Sequence, residues 1–101
     1  MSKDESHTIS PIHYTGDPSL ARDRLLEIVK SLPRTEILTQ EERYIHTTFT
    51  SLIFRFVDDV EFIIDDEKKL IQVRSASRVG HSDFGINRKR IEQIRALYTK
   101  K

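Results

Sequence analysis

The chain contains no cysteine. That excludes disulfides, thiolate nucleophiles and Cys-ligated zinc, and it leaves the compartment open, because a Cys-free chain suits either redox environment. No apolar run approaches the ~18 residues of a membrane span, and no signal-peptide core is present. As written the chain reads as cytoplasmic, and a signal or anchor segment removed before Met1 would be compatible with it. There is no internal repeat and no low-complexity segment. Net charge is only +1, so no overall field draws the chain to nucleic acid or membrane.

What remains is a chain of 101 residues, 37% apolar and 33% charged. Five Phe, three Tyr and many Ile, Leu and Val place it outside the disordered class. A domain of this length buries roughly two thirds of its unfolded surface, enough for one modest core. With so polar a composition that core is thin, and the expected solution is one sheet with helices on one side. Charge is uneven along the chain. Residues 58–67 hold Asp58, Asp59, Glu61, Asp65, Asp66 and Glu67 and no basic residue. Residues 88–101 hold Arg88, Lys89, Arg90, Arg95, Lys100 and Lys101 against Glu92 alone.

Read in order, residues 1–8 form a polar tail expected to be disordered, and 9–101 a single domain. Ile9 to Tyr14 is a short extended segment that Pro11 restricts to a sheet edge or a packed arm. Asp17 suits a helix N-cap and Pro18 the first helical position. Ala21, Leu25, Ile28, Val29 and Leu32 then share one helical face, and Pro33 ends the helix. Thr35 to Thr39 and Tyr44 to Thr50 read as strands joined by a turn at 40–43. Ile45, Thr47 and Phe49 share one parity, whereas Leu52, Phe54 and Phe56 share the other. A period-2 pattern changes face only through an extra residue, so a bulge or bend is expected near Thr50-Ser51.

The next hairpin carries its register in its pattern. Val60, Phe62 and Ile64 point inward on one strand, and Ile71 and Val73 on the next, with Asp65 to Lys69 as the turn. Ile64 then faces Ile71, Phe62 faces Val73, and Glu61 faces Arg74 on the outer side, where opposite charges pair. Asn87 is an expected N-cap for a C-terminal helix with Ile91, Ile94, Leu97 and Tyr98 on its inner face. The fold class is α+β: a single domain, an antiparallel sheet of about four strands with two helices packed on one face, in the order (β)-α-β-β-β-β-α. The layout is similar to one half of the TATA-binding fold, an analogy that carries no function.

Phe-Val-Asp-Asp-Val-Glu-Phe (56–62), then a turn, then V-R-S-A-S-R-V-G-H-S-D-F-G-I-N-R-K-R (73–90), resembles the signature of the family called domain of unknown function 1499. That family is spread through bacteria, with relatives in plastids. The helix ending at Leu32-Pro33-Arg34-Thr35 is also similar, so the likeness covers roughly residues 17 to 98. It implies no activity, cofactor or substrate.

The chemistry-bearing residues concentrate in 73–90. Arg74, Arg78, Arg88 and Arg90 form the candidate anion site. Arg88, Lys89 and Arg90 at a helix start break the preference for anions there, and free N–H groups beside glycines and arginines suit a phosphate, sulfate or carboxylate. The competing reading is an ion network in which Asp58, Asp59, Glu61 and Asp83 satisfy these arginines. Asp58, Asp59, Glu61, Asp83 and Asn87 are accordingly read as loop-ordering or structural. Asp59 and Glu61 face one way and Asp58 the other, too few oxygens for a metal cage. His81-Ser82-Asp83 has the letters of a triad, but triads are built in space and not from consecutive residues. His7, His13, His46 and His81 show no metal spacing, and Gly80 and Gly85 lack the Lys-Ser/Thr of a phosphate loop and read as turn glycines.

The sheet's open face, with His46, Thr48, Glu61, Gln72 and Arg74, reads as solvated and mixed in charge. It offers no aromatic platform for nucleic acid. No cofactor or metal is expected. The leading function is a small non-catalytic binding or accessory domain with an anion site at 78–90, its partner a small anionic ligand or a protein. The alternatives are an enzyme acting on an anionic small molecule, with Asp59 or Asp83 as base and His81 as acid, and a scaffold that pairs sheet edges or faces.

Overall fold

The computed structural model describes residues 8–50, 55–77 and 84–100, with the backbone alone at 8, 77, 84–88 and 100. Seven elements follow one another: β1 (Thr8–His13), α1 (Pro18–Lys30), β2 (Thr35–Gln40), β3 (Tyr44–Thr50), β4 (Val57–Asp65), β5 (Leu70–Ser77) and α2 (Phe84–Lys100). The strands form one antiparallel sheet in the order β1-β5-β4-β3-β2. The expected class and element order hold, but the sheet has five strands, because the N-terminal segment pairs fully with β5. Thr8, placed in the tail by its polarity, already pairs with Arg74. Residues 1–7 lie outside the described residues.

Pro11 has the consequence expected of it. β1 is an edge strand, and its register with β5 slips between Ile9 and Ile12, around the residue that cannot donate to the ladder. α1 opens at Asp17, whose carboxylate accepts the Ser19 N–H at 2.8 Å, with Pro18 behind it. Gly16 precedes this cap at φ +85, a left-handed conformation in which a side chain would be strained. The central hairpin takes the register read from its pattern: Glu61 faces Arg74, Phe62 faces Val73 and Ile64 faces Ile71.

The core lies between the sheet and the two helices. Leu25, Val29, Ile45, Phe62, Ile71, Ile91 and Ile94 are fully buried there. Burying each such side chain stabilises the fold by roughly 1.5–3 kcal/mol. Leu26 joins this layer, whereas Leu97, expected inside, is 39% exposed and Tyr98 takes the buried place. Arg24 lies over the Tyr98 ring at 4.7 Å and ties α1 to α2.

α2 begins earlier than Asn87. Its backbone is helical from Phe84, so Asn87 lies inside the first turn and is not the cap, and Gly85 is a helical residue and not a turn glycine. Phe84 stands seven residues before Ile91, so the apolar stripe runs back two further turns and outweighs the local cap preference of Asn87. Thr50 ends β3, and Arg55 and Phe56 precede β4. The bend expected at Thr50-Ser51, with Leu52 and Phe54, falls on residues outside those described.

Candidate functional site

Burial along the inner face of the sheet changes character from one end to the other. Toward the β4–β5 turn the inward residues are Ile64, Ile71, Ile12 and Tyr14. Toward the start of β4 they become Thr47, Ser75 and Asp58, all buried. Register places Phe49, Asp58 and Ser77 side by side in the last inward row, with Thr35 beyond Phe49. A core that turns polar at one end either binds polar groups of its own chain there or receives a ligand.

Arg90 of α2 covers that end. Its guanidinium stacks over the Phe49 ring, 4.9 Å from the centroid, and donates to the carbonyls of Arg34 and Thr50, each at 3.5 Å. Those are long bonds, at the outer limit of useful hydrogen-bond length. Among the described residues no carboxylate lies within 4.0 Å of Arg90 or of Arg34. Burial holds the Arg90 guanidinium below its ordinary pKa, and the like charge of Arg34 pushes it the same way; only Asp58 acts in the opposite sense. Arg34 itself sits at φ 58 and Arg55 at φ 61, both in the left-handed region that costs non-glycine residues roughly 1–2 kcal/mol. The Arg34 carbonyl accepts the Thr50 N–H at 2.9 Å, which fixes this turn against β3. Arg34, Arg55 and Arg90 thus belong to one end of the sheet, where Thr50 pairs with Val57 and Arg90 reaches the Arg34 and Thr50 carbonyls.

The sequence reading had a different set. Arg90 belongs to this end, but Arg74 does not: it is exposed on β5 with its side chain on the outer face, opposite Glu61. Arg74 and Glu61 are register partners, yet they form no ion pair within 4.0 Å. The Glu61 carboxylate accepts the Tyr44 hydroxyl at 2.7 Å, and this bond together with burial raises the Tyr44 pKa, against the lowering influence of Arg74. On the same face His46 Nε2 lies 2.8 Å from Asp59 Oδ1. The outer face is therefore locked in neighbouring pairs, and Thr48, expected in solvent, is buried among them. Asp59, suggested as a base, is held by His46.

Arg88 has helical backbone, and Arg88, Lys89 and Arg90 are the fifth to seventh residues of α2. They stand in its second turn, past the range where the helix dipole opposes cations strongly. Arg78, Gly80, His81, Ser82 and Asp83 lie outside the described residues. Sequence reasoning missed Arg34 and Arg55. Arg34 stood in the Leu32-Pro33-Arg34-Thr35 segment already singled out, and a lone Arg between a helix-ending Pro and a strand was the available signal.

The family described as "Protein of unknown function (DUF1499)" matches residues 1–97. The chain belongs to this family. The match takes in every residue of the Arg90 end named above. No curated protein matches the chain. No group of three or more metal-ligating side chains occurs among the described residues. No helix among them is long and apolar enough to cross a membrane.

Proposed function

We propose that the domain is a small non-catalytic binding module that receives an anionic group at the end of the sheet covered by Arg90. The observation that supports this most is the Arg34–Arg90 pair: two guanidiniums from different elements share one corner without a carboxylate within 4.0 Å among the described residues. Like charges brought together in a fold repel by an amount that an intervening anion reverses. A guanidinium resting on an aromatic face holds its N–H edge in one plane, where the two long carbonyl contacts of Arg90 can give way to a bidentate acceptor. Arg74 serves the outer face in this reading.

Binding is the favoured activity because the corner offers donors and positive charge and, among the described residues, no paired acid and base. The one oriented histidine among the described residues, His46, stands on the opposite face. Titration of sodium sulfate into isotope-labelled protein, read at the arginine side-chain N–H resonances, tests the proposal. Saturable shifts of Arg34 and Arg90 at millimolar sulfate are expected, corresponding to about −4 kcal/mol. Unchanged resonances for both arginines over that range would remove the reading.

A further inference from the structure

The corner also restricts which anion it takes, an inference that rests on the anion-binding reading just given. Arg34 stands in the connection after α1, and Arg90 projects from α2; among the described residues the Arg90 guanidinium meets the Phe49 ring and the Arg34 and Thr50 carbonyls. Arg55 is exposed at the same end. Arg90 feels the like charge of Arg34 and the opposite charge of Asp58, a carboxylate buried in β4. One monoanion leaves at least one guanidinium of the central pair unanswered. A tetrahedral group with two charges answers both, one oxygen to each fork. A planar carboxylate fills one fork only.

We propose that the ligand carries a phosphomonoester dianion, bridged by Arg34 and Arg90 over the Phe49 ring. The two long carbonyl contacts of Arg90 exchange for charge-assisted bonds to phosphate oxygens, while the stack on Phe49 holds the guanidinium plane. Asp58 keeps the site from holding a still larger negative charge and sets the apolar-to-polar boundary beneath it. No bond is made or broken in the ligand.

The test compares three anions at constant ionic strength: glycerol phosphate, sulfate and acetate, each at about pH 5 and about pH 7.5. With a second phosphate pKa near 6, the dianion fraction rises about tenfold across that interval. The proposal expects glycerol phosphate to tighten by about that factor, sulfate to stay constant, and acetate to bind more weakly than either at pH 7.5. The sulfate arm separates titration of the ligand from titration of any histidine in the protein. Arg34→Gln, an exposed position, and Arg90→Lys, which keeps the charge but loses the fork, should each abolish the preference for phosphate over acetate. Equal binding of all three anions at both pH values overturns the dianion assignment and leaves the anion site standing; no binding by any of them overturns both. Cosedimentation with phosphatidylcholine vesicles, with and without phosphatidic acid, separates the two sources of a phosphomonoester. Arginine-dependent capture by phosphatidic acid would place the group on a lipid. Binding of glycerol phosphate without vesicle capture would place it on a soluble molecule.

Discussion

At the turn end of the sheet, charge is answered within the fold. Tyr14 donates to Asp66 at 2.7 Å, and Lys69 reaches both Asp66 and the Gly16 carbonyl at 2.8 Å. At the opposite end, Arg90 meets the Phe49 ring and the carbonyls of Arg34 and Thr50. The origin of the difference is sequence distance. Asp66 and Lys69 are three residues apart in one turn, and Tyr14 is delivered by the strand next door, so local geometry pairs them. Arg34 and Arg55 come from two separate connections and Arg90 from α2, and the acidic stretch of 58–67 sends Asp59 and Glu61 to the outer face. A closed end is cheap to build from neighbours, whereas an end assembled from distant cations keeps its charge available. The edge at β1 shows the closed style again: Arg95 donates to the carbonyls of Pro11 and Ser10 at 2.6 and 2.9 Å, groups near the register slip, and pairs with Glu92. This also protects an edge strand from pairing with another chain.

The largest effect should come from the apolar end. Ile71→Ala removes a fully buried side chain and is expected to cost about 2–5 kcal/mol in urea unfolding. A loss well under 1 kcal/mol would mean that the core does not lie where the sheet places it. Arg95→Ala should cost less, about 1–2 kcal/mol, by freeing the two β1 carbonyls. Faster amide exchange in β1, with β3 unaffected, would mark that loss as local.

Tyr14→Phe sharpens the contrast through pH. The Tyr14 pKa is pushed up to about 12 by burial and by its bond to Asp66, while Lys69 and then Tyr14 hold the Asp66 carboxyl below its ordinary value. A raised tyrosine pKa gives stability that is whole below pH 10 and lost as pH rises toward 12. A lowered carboxyl pKa gives stability that is whole above about pH 4 and lost as pH falls through the folded value. The wild-type protein should therefore lose stability in both windows. The variant should lack the alkaline loss from this residue and show a reduced acid loss. Parallel pH curves for the two proteins would contradict the pairing.

The smallest effect on stability is expected at the other end. Arg90→Ala gives up a cation–π contact of about 0.5–1 kcal/mol and relieves repulsion from Arg34, so the net change should stay within about 1 kcal/mol of zero. Its anion binding should vanish. A variant that unfolds outright would show that Arg90 is structural.

Much of the fold was legible in the residues, and for identifiable reasons. Period-2 alternation with a single buried face leaves a strand one register, and the Glu61–Arg74 and Ile64–Ile71 alignments followed from it. Asp17-Pro18 named the start of α1, and Pro11 named an edge. α2 was misplaced because a cap residue, Asn87, is a local preference, whereas the helix start is set by the longer apolar stripe. Leu97 and Tyr98 were both read as inward and only Tyr98 is covered, for a related reason: adjacent residues sit about 100° apart on a helix, and only the packed partner decides which of the two is buried. The candidate site was half legible. Arg90 could be named from charge density. Its companion Arg34 could not, because a residue in a left-handed turn after a proline shows no periodicity, and its distance from Arg90 is a property of the tertiary fold. Arg74 was drawn in by proximity along the chain, although strand parity puts it on the other face.

Mapping a saturating phosphate titration onto the backbone amides tests the contrast between the two ends most directly. Shifts confined to the neighbourhood of Arg34, Phe49, Thr50, Arg55, Asp58 and Arg90, with Tyr14, Asp66 and Lys69 unmoved, are the predicted result. Shifts of equal size at Tyr14, Asp66 and Lys69, or linear shifts spread over all exposed basic residues, would contradict it.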